Sequence, residues 1–296
     1  MTIEKTKLGL PFFDEAVGGI YFNTPTLVCG RKECGKTVLA SHFVDKVLRT
    51  GEKVLVFCEA TPETTILDAR SVGIDLEPAA RSGQLLLVPL HAAFAASPGG
   101  AFPFASALDE LHALASRTSV GFAVFSSVIP WLAVTPATDM PVRVDAFLSA
   151  LSTASLTSLL LVHKPASEPA SKLVAKLSEA CPVVLEMEAF QYAQRELRVV
   201  KYRGSDGLRL PLVFPLDLVP AKGLRLHADT PPSVPDPQPA PAPALRPAPT
   251  PARRFSHFTR RPLCAIYRSS KNRRTNPWSF WNSAFSRTAG SCPAAF

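Results

Sequence analysis

The segment that decides the fold of this chain is Gly30-Arg31-Lys32-Glu33-Cys34-Gly35-Lys36-Thr37, which matches the pattern G-x-x-x-x-G-K-S/T. The apolar run 25–29 precedes it and predicts a strand, and residues 38–48 follow with apolar side chains at helical spacing. In such a strand–loop–helix unit, consecutive backbone N–H groups and the N-terminus of the helix surround phosphate groups. The segment therefore predicts a binding site for a nucleoside triphosphate.

Each residue type in this loop has a chemical reason. Glycine allows the backbone to approach the phosphates, Lys36 reaches the β- and γ-phosphates, and the Thr37 hydroxyl ligates magnesium. We predict that a nucleoside triphosphate and Mg²⁺ are the cofactors. The predicted nucleotide-binding residues are Gly30, Arg31, Lys32, Glu33, Cys34, Gly35, Lys36 and Thr37. A chance match of the pattern is the alternative, and the flanking strand and helix argue against it.

Composition places this site in a soluble α/β protein. A chain of 296 residues with 47% hydrophobic content is long enough for one good core. The six cysteines have neither metal-ligand spacing nor a C-x-x-C pattern, which favours a reduced compartment. Neither a signal peptide nor an apolar run of membrane-spanning length is found, so we expect a cytoplasmic protein without a membrane partner.

The chain divides into three regions by composition. We predict a nucleotide-binding domain at 1–226, a proline- and alanine-rich linker at 227–251 and a basic tail without a fold of its own at 252–296. Ten prolines lie between Pro231 and Pro251. Of the 32 basic and 24 acidic residues, nine basic and no acidic ones fall in the tail, which leaves 23 basic against 24 acidic elsewhere. The net charge of +8 is therefore a property of the tail.

Three interpretations of the tail remain open. Its arginines alternate with aromatic residues, which is typical of segments that contact nucleic-acid phosphates and stack on bases. A solvated appendage is the simpler alternative. An altered reading frame would also explain a composition so different from that of residues 1–226.

Apolar runs predict how the domain is built. Strands are predicted at 53–58, 85–88, 121–125 and 158–162, with helices at 105–116 and 142–153. This alternation predicts an α/β fold with a mostly parallel central sheet and helices on both faces. Residues 183–187 and 196–202 predict a C-terminal antiparallel hairpin that extends the sheet.

Four blocks in this order resemble the RecA superfamily, and within it the KaiC-like ATPases. They are L-G-L-P-F-F-D-E-A-V-G-G at 8–19, the phosphate loop at 30–37, V-F-C-E-A-T-P-E at 56–63 and R-V-V-K-Y-R-G-S at 198–205. The resemblance covers about residues 6–226. It implies a RecA-like P-loop NTPase fold.

The resemblance also implies catalytic roles for three residues. Glu59 corresponds to the first of two glutamates in the family, a general base for the attacking water. Lys201 and Arg203 correspond to residues that reach the nucleotide of a neighbouring subunit in hexamers. A homo-oligomer, a hexamer or another head-to-tail ring, is therefore implied.

The chain departs from the family pattern where the chemistry takes place. The second glutamate is replaced by Ala60, and the Walker B aspartate by Ser126. Thr37 and Ser126 are thus the predicted metal-site residues, and an uncharged hydroxyl holds Mg²⁺ more weakly than a carboxylate does. Glu33 replaces a frequent family glycine. These departures predict hydrolysis that is slow or absent.

Simpler explanations exist for the residues outside the loop. Glu59 is alternatively a carboxylate at a helix start, and Lys201 and Arg203 alternatively line a solvated strand edge. His163 and Lys164 follow an apolar strand, from whose end they could sense the γ-phosphate, but a surface pair is the favoured interpretation.

Our leading hypothesis is an ATP-binding regulatory or scaffold module for signal transduction, with weak ATP hydrolysis and an oligomeric form. The alternative is a DNA-binding recombination or repair accessory ATPase of the RecA/RadA type, which would hold nucleic acid through the tail. A third class is a protein-interaction platform whose function survives Lys36→Ala.

Overall fold

The computed structural model describes residues 4–90, 104–132, 139–165, 167–190, 194–204 and 208–227. All of them lie in the first of two compact units of the chain, which ends at Pro235. The basic tail and, apart from His227, the proline-rich linker lie outside these residues.

A nine-stranded sheet forms the centre of the described domain, with the strand order β11-β10-β9-β8-β3-β7-β6-β4-β5. The pairs formed among strands β3 to β8 are all parallel. The pairs β8–β9, β9–β10 and β10–β11 are antiparallel. A separate antiparallel pair consists of β1 and β2. The strands are β1 (Lys5–Thr6), β2 (Ile20–Tyr21), β3 (Pro25–Gly30), β4 (Val54–Cys58), β5 (Leu85–Pro89), β6 (Phe122–Phe125), β7 (Thr157–His163), β8 (Val183–Ala189), β9 (Gln194–Tyr202), β10 (Leu212–Val219) and β11 (Gly223–Leu226).

Helices connect the parallel strands, as is usual for the crossover connections that parallel pairing needs. In the described residues they are α1 (Pro11–Ala16), α2 (Lys36–Leu48), α3 (Pro62–Ser71), α4 (Glu77–Ser82), α5 (Phe104–Thr118), α6 (Ile129–Leu132), α7 (Met140–Thr153) and α8 (Glu168–Ala180). None of these helices has the length and apolar character needed to cross a membrane.

The predicted fold class is confirmed: a mostly parallel α/β sheet with an antiparallel C-terminal extension. The predicted strands and helices all occur, each within a few residues of its expected ends. Helix α8 is one of several elements that were not predicted, although its start carries recognisable signals. The Ser167 hydroxyl accepts a hydrogen bond from the Ala170 N–H, and Glu168 and Pro169 follow in the first turn.

Helix α2, which follows the phosphate loop, is anchored on both sides. It buries Leu39, Phe43 and Val47. On its outer side, the N-terminal segment turns at Gly9 (φ +88°), where an added Cβ would lie 2.9 Å from the His42 carbonyl carbon. The Asp14 carboxylate stabilises this turn by accepting hydrogen bonds from the N–H groups of residues 8 and 9, at 2.7 and 3.0 Å.

The C-terminal strands contact the same helix through one histidine. His42 Nε2 accepts a hydrogen bond from the Leu224 N–H at 3.1 Å, and its ring fills the space beside Gly223. Burial lowers the pKa of His42, and Arg225 lowers it further, while Asp45 opposes the shift. The ring is therefore neutral at pH 7, as an accepting nitrogen requires.

We predict that the domain loses stability as the pH falls below about 6.5, the ordinary pKa of this side chain. Below that pH the unfolded chain binds a proton at His42 more readily than the folded one, so protonation favours unfolding. Replacement of His42 by Gln, which has an accepting oxygen but does not titrate, should reduce the stability difference between pH 8 and pH 5. Urea midpoints at the two pH values measure it.

The matched control is His112→Gln, because His112 is exposed on α5. That variant should keep the wild-type difference between pH 8 and pH 5. Equal pH dependence in wild type and His42→Gln would contradict the assignment.

Candidate functional site

The predicted phosphate loop lies where the sequence placed it, between β3 and α2. Gly30 ends β3, and α2 begins at Lys36. Gly35 adopts the left-handed conformation with φ +106°, which a glycine takes without strain, and Glu33 has φ +65°. This backbone turns the chain from the centre of the sheet into the first turn of α2.

Gly30 is the tightest point of the loop. An added Cβ would overlap the Met187 carbonyl oxygen of the neighbouring strand β8 and lie 2.6 Å from Cys34 Sγ. The Cys34 side chain is itself completely buried beneath the loop. A residue larger than glycine at position 30 would therefore displace the loop from the sheet.

Lys36 stabilises the loop from within. Its ammonium group donates to the carbonyl oxygens of Gly30, at 2.9 Å, and Arg31, at 2.6 Å, and lies 3.7 Å from Cys34 Sγ. Only 6% of the residue is exposed. The loop thus carries a buried positive charge at the N-terminus of a helix, an arrangement that favours anionic ligands.

A cavity of about 670 Å³ opens beside the loop, between α2, α3 and the carboxyl ends of β4, β6 and β7. This is the edge at which open α/β sheets bind ligands. Most of the predicted site residues line it, namely Lys32, Glu33, Gly35, Lys36, Thr37, Glu59 and Ser126. Gly30, Arg31 and Cys34 belong to the loop but are not among the lining residues.

Glu59 faces this cavity and does not act as a helix cap. Its side chain is 54% exposed. The cap of α3 is Thr61, whose Oγ1 accepts from the Thr64 N–H at 3.2 Å. Thr61, and not Glu59, therefore caps the start of α3. The Glu59 carboxylate is available to a ligand in the cavity.

Ser126 lies directly after β6 and is half-buried in the floor of the cavity. Thr37, the other predicted metal-site residue, is exposed at the start of α2 and lines the same cavity. Among the described residues, no three His, Cys, Asp or Glu side chains come together as a metal site. These donors fit Mg²⁺ held mainly by phosphate and water oxygens, with a hydroxyl as protein ligand.

His163 and Lys164 are both exposed, as the favoured surface interpretation predicted, but they have different partners. His163 lines the cavity, where its Nε2 lies 3.9 Å from Glu59 Oε2. Lys164 instead contacts Glu188 on β8 at 2.6 Å, and this hydrogen bond lowers the pKa of Glu188. At the end of β7, His163 therefore lines the cavity, whereas Lys164 contacts the neighbouring strand β8.

Helix α3 supplies lining residues that the sequence analysis missed. Thr65 and Asp68 lie on the face of α3 toward the cavity, three positions apart, as residues on one face of a helix do. The capping pattern Thr61-Pro62 was visible in the sequence, but it did not indicate which face of the helix turns toward the loop.

Lys201 and Arg203 lie outside the cavity lining. Lys201 Nζ donates to the carbonyl oxygens of Ser178 and Glu179, both at 2.7 Å, and Arg203 donates to Glu179 at 2.8 Å. Both cations thus cap the C-terminal end of α8, where positive charge is favoured. Burial lowers the pKa of Lys201.

The fold and the loop together define a P-loop NTPase of the RecA-like class. A sequence model of the KaiC ATPase family matches residues 6–216. The chain therefore belongs to the KaiC family of ATPases, whose members bind nucleotide.

Individual relatives agree with this assignment. The chain is 33% identical over 127 residues to the circadian clock oscillator protein KaiC of Prochlorococcus marinus, covering 38% of this chain and 25% of that protein. It is 27% identical over 244 residues to the circadian clock protein KaiC3 of Synechocystis sp., covering 75% of this chain and 45% of that protein. The chain thus spans less than half the length of these relatives.

A solved structure is similar in fold. The crystal structure of a KaiC-like protein from Pyrococcus horikoshii aligns with a TM-score of 0.63 at 18% identity. The alignment covers 76% of this chain and 100% of that one. At this identity the likeness shows the fold alone.

We predict that Gly30→Ala displaces the phosphate loop and destabilises the domain by about 1–3 kcal/mol, the usual cost of overpacking. The added methyl group overlaps the Met187 carbonyl, which is fixed in β8. Nucleotide binding should be lost along with the loop geometry. Chemical denaturation and an ATP titration measure the two effects.

Gly121→Ala is the matched control, since a Cβ at Gly121 meets nothing within 4 Å. It should leave both stability and nucleotide affinity close to wild type. A Gly30→Ala protein that binds ATP with wild-type affinity would contradict this account of the loop.

Proposed function

We propose that this chain is an ATP-binding regulatory or scaffold module that binds ATP with Mg²⁺ through residues 30–37 and hydrolyses it slowly. The observation that carries the proposal is the contrast within one cavity. The phosphate loop with its buried Lys36 is complete, while Ser126 at the end of β6 carries no charge. Binding and turnover depend on different parts of this cavity.

The loop supports binding by its charge and shape. Phosphates beside it would meet the N–H groups at the start of α2 and the cations Lys32 and Lys36. The Lys36 ammonium would also donate to a phosphate oxygen, which is a stronger acceptor than a carbonyl oxygen because it is charged. In this proposal Thr37 contributes its hydroxyl to the metal ion.

We expect slow hydrolysis because two residues at the floor of the cavity, Ala60 and Ser126, carry no negative charge. Mg²⁺ accelerates phosphoryl transfer by stabilising charge, and it must be held firmly to do so. Ser126 contributes a neutral oxygen where a carboxylate would orient the metal's water shell, and Ala60 contributes no acceptor. Glu59 is left as the proposed general base.

We further propose that the chain assembles through neighbouring subunits, as a hexamer or another ring, and acts in cytoplasmic signal transduction. Lys201 and Arg203 would then contact the nucleotide of an adjacent subunit. In the single chain both side chains cap α8 with ordinary hydrogen bonds to carbonyl oxygens, which an anionic ligand would outcompete. The domain would comprise residues 1–226, with the linker and tail following it.

ATP with Mg²⁺ should bind the full chain saturably and raise its mass in light scattering. Lys36→Met should weaken ATP binding by about 10- to 100-fold, because a charge-assisted hydrogen bond contributes about 1.5–3 kcal/mol. Isothermal titration calorimetry measures the affinity. Lys172→Met is the control, since this exposed lysine pairs with Glu168 on α8, away from the cavity.

Absence of ATP binding by the wild-type chain would refute the proposal as a whole. Turnover of about 1 s⁻¹ or faster would refute slow hydrolysis alone. An unchanged mass with bound ATP would refute assembly driven by the nucleotide.

Ser126→Asp should raise the rate of ATP hydrolysis at least about tenfold, because a carboxylate there would hold Mg²⁺ in place. The rate is measured as phosphate release at saturating ATP and Mg²⁺. Ser149→Asp, on an exposed position of α7, is the charge-matched control and should keep the wild-type rate. A Ser126→Asp chain that hydrolyses ATP no faster than wild type would show that Ser126 does not limit turnover.

A further inference from the structure

Three strand ends meet at the floor of the cavity in a fixed order. Strand β6 lies between β4 and β7, so the segment that follows β6 lies between the two segments that follow its neighbours. Hydrogen bonds hold it there on both sides. The Ser126 N–H donates to the Phe57 carbonyl of β4 at 3.0 Å, and the Val128 N–H donates to the Leu161 carbonyl of β7 at 3.2 Å.

Glu59 and His163 reach toward each other across this middle segment. Their side chains approach to 3.9 Å, between His163 Nε2 and Glu59 Oε2. Within the described residues this is the one ionic contact of Glu59. The separation is longer than a hydrogen bond, as catalytic contacts commonly are until a ligand closes the site.

The imidazole of His163 is neutral at pH 7. Burial lowers its pKa and the Lys36 ammonium lowers it further, while Glu59 opposes the shift and Lys32 adds to it. A neutral imidazole has one N–H donor, which a carboxylate can accept. The ring is therefore able to hold Glu59 without neutralising it.

We propose that His163 is a positioning residue that fixes the carboxylate of Glu59 across the end of β6. This inference rests on the proposed function and identifies what orients its general base.

The step that Glu59 would perform is the activation of water. Its carboxylate accepts a proton from the attacking water while the water oxygen forms a bond to the γ-phosphorus. The bond from that phosphorus to the oxygen of ADP breaks, ADP and phosphate leave, and the proton passes from Glu59 to solvent. An exposed glutamate samples several rotamers, so a donor that selects one of them raises the fraction of productive encounters.

The test uses the full chain under single-turnover conditions, with ATP affinity measured in parallel. His163→Ala should lower the hydrolysis rate about 10- to 100-fold, the cost of a misplaced catalytic group, and change the ATP dissociation constant less than about twofold. His163→Gln should recover part of the rate, because its amide also donates to Glu59. His112→Ala, an exposed histidine on α5, is the control and should keep the wild-type rate.

A double-mutant cycle separates positioning from a structural role. If His163 acts through Glu59, then His163→Ala has no further effect on the rate in a Glu59→Gln chain. Additive losses would overturn the proposal. An unchanged rate in His163→Ala, or no turnover at all in wild type that binds ATP, would also overturn it and leave the proposed ATP binding intact.

A spectroscopic measurement tests, independently of activity, whether the His163 and Glu59 side chains interact. The spectra are recorded at a fixed pH of about 7, at which the ring is neutral. The ring resonances of His163 should shift in Glu59→Gln. They should stay unchanged in Glu63→Gln, because Glu63 is an exposed glutamate on α3. Equal spectra in wild type and Glu59→Gln would overturn the proposal. If the wild-type chain fails to bind ATP, the proposed function fails, and this measurement still decides whether the two side chains interact.

Discussion

The site depends on the hydrogen bonds by which Lys36 holds the carbonyl oxygens of Gly30 and Arg31. These bonds bend the chain out of β3 and into α2, with the ammonium enclosed beneath the loop. They form because Gly30 packs directly against the β8 backbone, leaving no room for a side chain. A single glycine contact and a buried cation therefore determine where the helix starts and where its N-terminus points.

Around this fixed loop, the charges of the cavity are unequally distributed. Cations lie on the side of the loop and of α2, where phosphates would bind. The loop also contributes one carboxylate, Glu33. On the opposite side the carboxylates are Glu59 and Asp68, with the neutral Ser126 between the ends of β4 and β7. The proposed slow hydrolysis rests on this distribution, because affinity for a triphosphate depends on the loop whereas cleavage requires a firmly held metal ion.

The basic residues at the end of β9 are fixed by hydrogen bonds within the chain. Lys201 and Arg203 are held against the carboxyl end of α8, and Tyr21 donates to the Arg203 carbonyl. The geometry of this region is therefore set by the fold of the single chain. A pre-organised pair of cations loses less conformational freedom on contact with an anion than two mobile side chains would.

The amino-acid sequence by itself determined the phosphate loop, its flanking strand and helix, the parallel sheet and the substitutions at Ala60 and Ser126. The loop, its strand and helix and the sheet follow from local pattern, because strands, helices and loop chemistry depend on neighbours in the chain. The substitutions follow from the resemblance to the KaiC-like ATPases. Only the tertiary structure decided that His163 faces Glu59, that α3 turns Asp68 into the cavity and that His42 accepts from Leu224, which is 182 residues away. These contacts arise from the order of strands in the sheet, and strand order is set by packing among distant segments, which local periodicity does not encode.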